Sequence, residues 1–309
     1  MSKNAYLFPG QGAQYPGMGR DFALSFSVSR EIFEEADELL QERLSRIIFE
    51  GPEDLLTQTR YSQIGIFITS VAILKAIETQ FPELKPSVCA GLSLGEYTAL
   101  YASERISFQD ALLLVQKRAQ LMNKACQETS GTMAAVIGLG AEKIEEALSS
   151  LHDVWIANYN CPGQIVISGT KDGVEQAAVR LKSFGAKLAS LRVHGAFHSG
   201  LMQLAKEGLA PAIQHAKICQ SQVGLCMNVP GDFVHSVEEI RAYLIDQVTQ
   251  SVRWEQGIRS MEGIELFFEI GCGKTLAGLN KKIGVAAPTL SIEKVADLER
   301  IEGMLCRNY

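Results

Sequence analysis

Paired cysteines, concentrated positive charge and long uninterrupted apolar runs are all wanting in this 309-residue chain, and each absence removes a class of protein. The seven cysteines (Cys89, Cys126, Cys161, Cys219, Cys226, Cys272 and Cys306) are odd in number, scattered and never spaced C-x-x-C. They offer neither a disulfide framework nor a thiolate metal site, and read as reduced thiols. Acidic residues outnumber basic ones by 35 to 29, for a formal net charge of -6, and no basic stripe is present to track a phosphate backbone. The apolar runs are too short to cross a bilayer, and residues 1–4 lead into a strand-like segment instead of the apolar core of a secretion signal. The expectation is a cytoplasmic globular protein that binds neither nucleic acid nor membrane. With 47% hydrophobic residues the chain can bury one large core or two smaller ones.

What is there centres on residues 88–100. A short apolar run from Val88 breaks at Gly91-Leu92-Ser93-Leu94-Gly95 and resumes with helix-forming residues, the pattern of a nucleophile elbow. Such a turn needs residues without Cβ two positions to either side of the serine, so that neighbouring backbone can pass. The helix then begins just below Ser93, where its free N–H groups favour a developing oxyanion, and Glu96 falls in its first turn, where a carboxylate is favoured. The alternative is a structural turn serine.

Upstream, the strand-like Ala5–Phe8 ends in Pro9-Gly10-Gln11-Gly12-Ala13-Gln14. A dinucleotide fingerprint would require glycine at position 15, which is Tyr15. A glycine loop after a first strand can instead supply one oxyanion N–H, the second coming from the residue after the nucleophile; here these are Gln11 and Leu94. Residues 21–80 carry helical spacing and predict two or three helices on a sheet. Ser107 to Asp110 opens a further helix reaching about Lys124, in capping-box fashion, with its apolar stripe at Ala111, Leu114, Val115 and Met122. Arg118 lies on that stripe. A buried guanidinium there is either half of an internal ion pair or a fork for a ligand carboxylate.

Beyond Lys124 the pattern becomes βαββαβ, with strands at 132–139, 154–158, 164–168 and 186–193 and helices at 141–151 and 171–184. That is the order of a ferredoxin-like module. The expected organisation is α/β: a large domain of residues 1–125 and 197–309, interrupted by a small subdomain of residues 126–196 that covers a cleft at Ser93. After the module comes Gly195-Ala196-Phe197-His198-Ser199, before a helix starting near Leu201. A serine nucleophile needs a base, and spacing does not choose between His194 and His198. Alternation resumes with a strand to Asn228, a helix near 237–248 and a strand at 263–270. Gly271-Cys272-Gly273-Lys274-Thr275 imitates a phosphate loop, but the pattern wants glycine where Phe268 stands. Its glycines are better read as letting a strand-to-helix turn pass close to the sheet.

Taken in order, Phe8-Pro9-Gly10-Gln11-Gly12-Ala13-Gln14 with Gly17-Met18-Gly19, Gly91-Leu92-Ser93-Leu94-Gly95-Glu96-Tyr97, Gly195-Ala196-Phe197-His198-Ser199 and Gly271-Cys272-Gly273 resemble the malonyl-CoA:acyl carrier protein transacylases over nearly the whole chain. Gln116-Lys117-Arg118 with Met122, Asn160-Cys161-Pro162-Gly163-Gln164, and Gln247 ahead of Val252-Arg253-Trp254 add to the resemblance. It implies an α/β-hydrolase-like large domain with the ferredoxin-like insert. It implies Ser93 as nucleophile, His198 as base, Arg118 as clamp for the free malonyl carboxylate, the Gln11 and Leu94 amides as oxyanion hole, and the Gln247 carbonyl orienting the histidine in place of a triad acid. Met122, Asn160, Gln164 and Phe197 follow as substrate contacts. The implied reaction carries malonyl from malonyl-CoA through a seryl ester to the phosphopantetheine thiol of acyl carrier protein, for fatty acid synthesis, with no metal or bound cofactor and with the monomer as working unit. The rivals are a serine hydrolase such as a thioesterase and a carrier-binding module without catalysis. Leu92, Cys272, Arg192 and His194 depart from the family pattern.

Overall fold

The computed structural model describes residues 3–191, 193 and 195–305. Arg192, His194, Cys306 and residues 1–2 lie outside the described residues. Two sheets organise the chain. In the larger, the spatial order is Thr289–Ile292, Leu266–Ile270, Asn4–Phe8, Val88–Gly91, Gly224–Met227 and Asp232–Val234, with every neighbouring pair parallel except the last. Asn4–Phe8 is buried at all five positions, as a central strand covered by helices on both faces must be. Its partner Val88–Gly91 is in register, with Phe8 opposite Gly91. The two strands therefore end level, and the loops leaving them, which carry Gln11 and Ser93, lie side by side at the carboxyl edge where open α/β sheets hold their ligands.

The smaller sheet is antiparallel, ordered Val154–Cys161, Gln164–Thr170, Gly131–Ile137, Lys187–Ser190. With helices Ala141–Leu148 and Lys171–Ser183 this is the ferredoxin-like arrangement. Alternation decides which face each residue serves. Ile165 and Ile167 pack with Ile144, Ala177 and Leu181 under the module's own helices, whereas Val166, Met133 and Ala157 join the main core. The strand Val154–Cys161 is also tied to the large sheet's connections: Val252 donates its N–H to the Ala157 carbonyl and accepts the Tyr159 N–H, both at 2.8 Å.

Residues 20–80 form five helices where spacing had suggested two or three: Arg20–Ser25, Ser27–Leu40, Leu44–Glu50, Glu53–Leu56 and Thr59–Gln80. Phe26 in extended backbone and Gln41 in the left-handed region make two of the breaks, and neither is a glycine or proline that would announce itself. Thr59–Gln80 also departs from the expectation of short apolar runs. By length and composition it could cross a membrane, with a mean hydropathy of 1.3, but 83% of that window is buried inside the fold. Gln63, Thr69 and Ser70 interrupt the apolar letters and hide the helix's overall character from a run-based reading. The helix from Ser107 begins as expected, the serine Oγ accepting the Asp110 N–H at 3.1 Å, and extends to Glu128.

The glycines at the elbow are required by close approach. A Cβ on Gly91 would overlap the Gly95 carbonyl, and one on Gly95 would overlap the Phe8 carbonyl oxygen. Gly278, by contrast, is exposed mid-helix with nothing near its would-be Cβ. Gly95→Ala should therefore cost about 1–3 kcal/mol of stability through forced backbone displacement, while Gly278→Ala should gain up to about 1 kcal/mol from helix propensity. Urea unfolding of both variants checks the pair.

Candidate active site

Ser93 sits at the turn between Val88–Gly91 and helix Gly95–Ala102, with φ of 52°. A non-glycine residue in this left-handed region is held there by its surroundings. The holding groups come from Asn228, which follows strand Gly224–Met227 and is thereby delivered beside the elbow. Its Oδ1 accepts the Ser93 N–H at 2.6 Å, and its Nδ2 donates to the Gly91 carbonyl at 2.7 Å. His198, also at positive φ (58°), lies in the 195–199 segment, where Ser199 Oγ donates to the Ala196 carbonyl at 2.6 Å and accepts the Leu201 N–H at 3.2 Å.

Ser93 Oγ lies 2.8 Å from His198 Nε2, and His198 Nδ1 lies 2.8 Å from the Gln247 carbonyl. A carbonyl can only accept, so Nδ1 carries the proton and Nε2 presents its lone pair to the serine hydroxyl. Burial pushes the imidazole down to about 4, and the nearby Arg118 cation pushes in the same direction, against the raising effect of the Gln247 carbonyl. The ring is therefore neutral and able to take a proton throughout the physiological range. The pair His198–Ser93 is the geometry of general-base activation of a nucleophile.

Arg118 is 1% exposed and, among the described residues, makes no ion pair. Its partners are neutral. Nη1 donates to Gln63 Oε1 at 2.6 Å, and Nη2 donates to Gln247 Oε1 and to Ser93 Oγ, both at 2.9 Å. The guanidinium carbon stands 5.7 Å from the centre of the Tyr97 ring, and Nε has no partner. The internal ion pair that was the plainer alternative for this residue is not formed. What remains is a buried positive charge beside the Ser93 hydroxyl, which favours an anionic ligand.

The cavity in front of Ser93 is lined by Gln11, Gln63, Leu92, Arg118, Met122, Asn158, Asn160, Phe197 and His198, with Met133 and Val166 from the module. Gln11 is reached by Gln63 Nε2 at 3.2 Å and itself reaches Thr59 Oγ1 at 3.2 Å. Among the described residues the backbone N–H groups of Gln11 and Leu94 donate to no protein acceptor. Gln164 is a correction: it stands at the start of its strand, its side chain takes a hydrogen bond from the exposed Lys282 at 2.9 Å, and it does not line the cavity. Val166, two residues on, has the inward place. Gln63, Asn158 and Asn228 were missed. The available signals were a glutamine inside an otherwise apolar helix and an asparagine ending a buried strand. Cys89, the elbow's neighbouring thiol, is fully buried, and burial pushes it well above the usual thiol range, so it offers no thiolate.

The acyl transferase domain family model matches residues 5–281. The malonyl CoA-acyl carrier protein transacylase of Bacillus subtilis is 41% identical over 98% of this chain and 96% of its own length, and that of Haemophilus influenzae is 38% identical over 99% and 100%. Among solved structures, the transacylase of that name from Clostridium perfringens superposes with a TM-score of 0.94 at 36% identity, covering 99% of this chain and 98% of that one. A malonyl-transacylase in complex with its type II PKS acyl-carrier protein gives 0.92 at 35% identity, covering 96% and 98%.

The depressed affinity of His198 for protons sets two pH dependences. Acylation of the enzyme, followed by rapid mixing, should stay level from pH 8 to pH 6 and fall to half only near pH 4, not near the 6.5 of a free imidazole. The unfolded chain takes up this proton near 6.5 and the folded one near 4, so the contribution to stability is complete above 6.5 and is lost as pH falls through that window. In His198→Ala this part of the pH dependence of unfolding should be absent.

Proposed function

Because the chain belongs to the acyl transferase family, among the malonyl CoA-acyl carrier protein transacylases, and so moves malonyl from malonyl-CoA to acyl carrier protein, we propose the following roles for its cavity residues. Ser93 Oγ attacks the thioester carbonyl while His198 Nε2 takes its proton, and the tetrahedral oxyanion is held by the Gln11 and Leu94 N–H groups. The coenzyme A thiolate leaves with the proton returned by His198, and malonyl stays on Ser93 as an ester. The phosphopantetheine thiol of the carrier then attacks that ester, gives its proton to the same imidazole and departs with malonyl, restoring the serine. Arg118 receives the free malonyl carboxylate in a charge-assisted pair. Met122, Asn160 and Phe197 wall the acyl group.

The observation that carries this reading is the buried Arg118 cation, met by neutral oxygens alone and 2.9 Å from the serine hydroxyl. A thioesterase for neutral acyl chains has no use for it. We take residues 1–125 with 197–309 as the α/β-hydrolase-like acyltransferase domain, and residues 126–196 as the inserted ferredoxin-like subdomain. We place its action in the cytoplasm, supplying fatty acid synthesis; the six described cysteines are all free thiols, as a reducing compartment keeps them.

Radiolabelled malonyl-CoA should leave label on Ser93 that holo carrier protein removes; release to water instead would make the protein a hydrolase. Arg118→Ala should lose malonyl transfer by roughly 30- to several-thousand-fold, the 2–5 kcal/mol of one truncated side of a buried charge pair. Acetyl transfer should fall much less, since it loses the hydrogen bonds to the neutral Ser93, Gln63 and Gln247 oxygens but no charge pair. Equal losses on both substrates would reject the clamp.

A further inference from the structure

Glu96 is 1% exposed and stands directly behind the elbow, in the first turn of helix Gly95–Ala102. Nothing in the transfer chemistry above uses it. One carboxylate oxygen accepts the Asn228 backbone N–H and the other accepts Gln247 Nε2. Asn228 is the residue that grips the Ser93 N–H and the Gly91 carbonyl. Gln247 is the residue whose backbone carbonyl orients His198 and whose side chain reaches the Ser93 carbonyl at 2.8 Å and Arg118 Nη2 at 2.9 Å. Nucleophile, base and cation are each one residue removed from the same carboxylate.

The Ser93 carbonyl can only accept and the Arg118 guanidinium can only donate, and together they fix the polarity of the Gln247 amide. Its Nε2 faces Glu96 and the Ser93 carbonyl, while its Oε1 faces the guanidinium. The reversed amide would set its N–H₂ against Arg118 donors. Burial raises the Glu96 carboxyl to about 8, outweighing the Asn228 and Gln247 donors and the Arg118 cation, which act to lower it. Gln247 thus links the Glu96 carboxyl to Arg118, donating to the one and accepting from the other.

We propose that Glu96 is the positioning acid of this active site, holding the nucleophile through Asn228 and the base through Gln247, in place of the acid that a serine triad sets directly against histidine. The proposal rests on the assignment of Ser93 and His198 above. It follows that Glu96→Gln, nearly identical in shape, breaks one of the two arms: its single oxygen serves one donor, and its N–H₂ meets the other donor head-on in a buried site.

The test is malonyl and acetyl transfer by wild type and Glu96→Gln, with active sites counted by label and melting temperature followed in parallel. The expected result is a kcat lower by on the order of 10- to 100-fold, as small misplacements of reacting groups cause, with KM within about twofold and both acyl groups affected alike. The imidazole Nδ1–H resonance of His198 should shift or disappear in the variant. A kcat within about twofold of wild type, a loss carried by KM, or a loss confined to malonyl overturns the proposal. Glu96→Asp combined with Asn228→Ala gives a second reading should Glu96→Gln not fold: losses smaller together than the product of the single losses support a shared arm, and independent losses overturn it. Mapping the wild-type label separates the two levels of the argument, since label away from Ser93 defeats the site assignment itself and a normal Glu96→Gln rate with label on Ser93 defeats only the role of Glu96.

Discussion

A guanidinium removed from water with no carboxylate against it is the constraint on which the rest of the site depends. Taking an unpaired cation into a protein interior is expensive unless its N–H groups are met, and Arg118 is met by Gln63 from helix Thr59–Gln80, by Gln247 at the end of helix Val237–Asp246, and by Ser93 at the elbow. Segments far apart in sequence converge to hold one charge, and each brings a neutral oxygen. A neutral shell supports the cation without cancelling it. The site is thereby left with an attraction for anions that exposed arginines, screened by solvent, do not have.

Much of this could be read from the residue string because the elbow's requirements are local. Glycine two positions either side of Ser93 is demanded by backbone contacts within the turn and with the adjoining strand end, so the requirement is written in adjacent letters. The βαββαβ order was legible for the same reason, each element carrying its own periodicity. Asn228 and Gln63 were not legible, since their partners exist only once strands pair and helices pack: Asn228 lies 135 residues from Ser93, and Gln63 lies 55 from Arg118. Gln164 was misplaced because it belongs to a stretch that resembled a cleft lining as a whole, whereas Asn158, Asn160 and Val166 line the cavity and Gln164, on the same strand face as Val166 but at the strand's first position, is left to Lys282.

Glu96 shows how one residue can satisfy a local rule and serve a non-local end. An acid in a first helical turn is favoured by the helix dipole wherever it occurs. Here the dipole argument accounts for the residue type but not for its burial, which is explained by the two N–H groups that meet it from the strand Gly224–Met227 side and from residue 247. Ser93 and His198 are both in left-handed backbone, a conformation costing on the order of 1–3 kcal/mol each. A rigid support behind them is what keeps such conformations populated.

The pairing of Val252 with Ala157 and Tyr159 has a mechanical meaning. Residues 247–252 are one short span of chain: at its start the Gln247 carbonyl aims the imidazole, and at its end Val252 is stitched by two backbone hydrogen bonds to the strand that carries Asn158 and Asn160 into the cleft. The small sheet cannot hinge away from the large one without pulling on the strap that aims the base. Opening the cleft and slackening the histidine are thus one motion, and access to the cavity is tied to the aim of the imidazole.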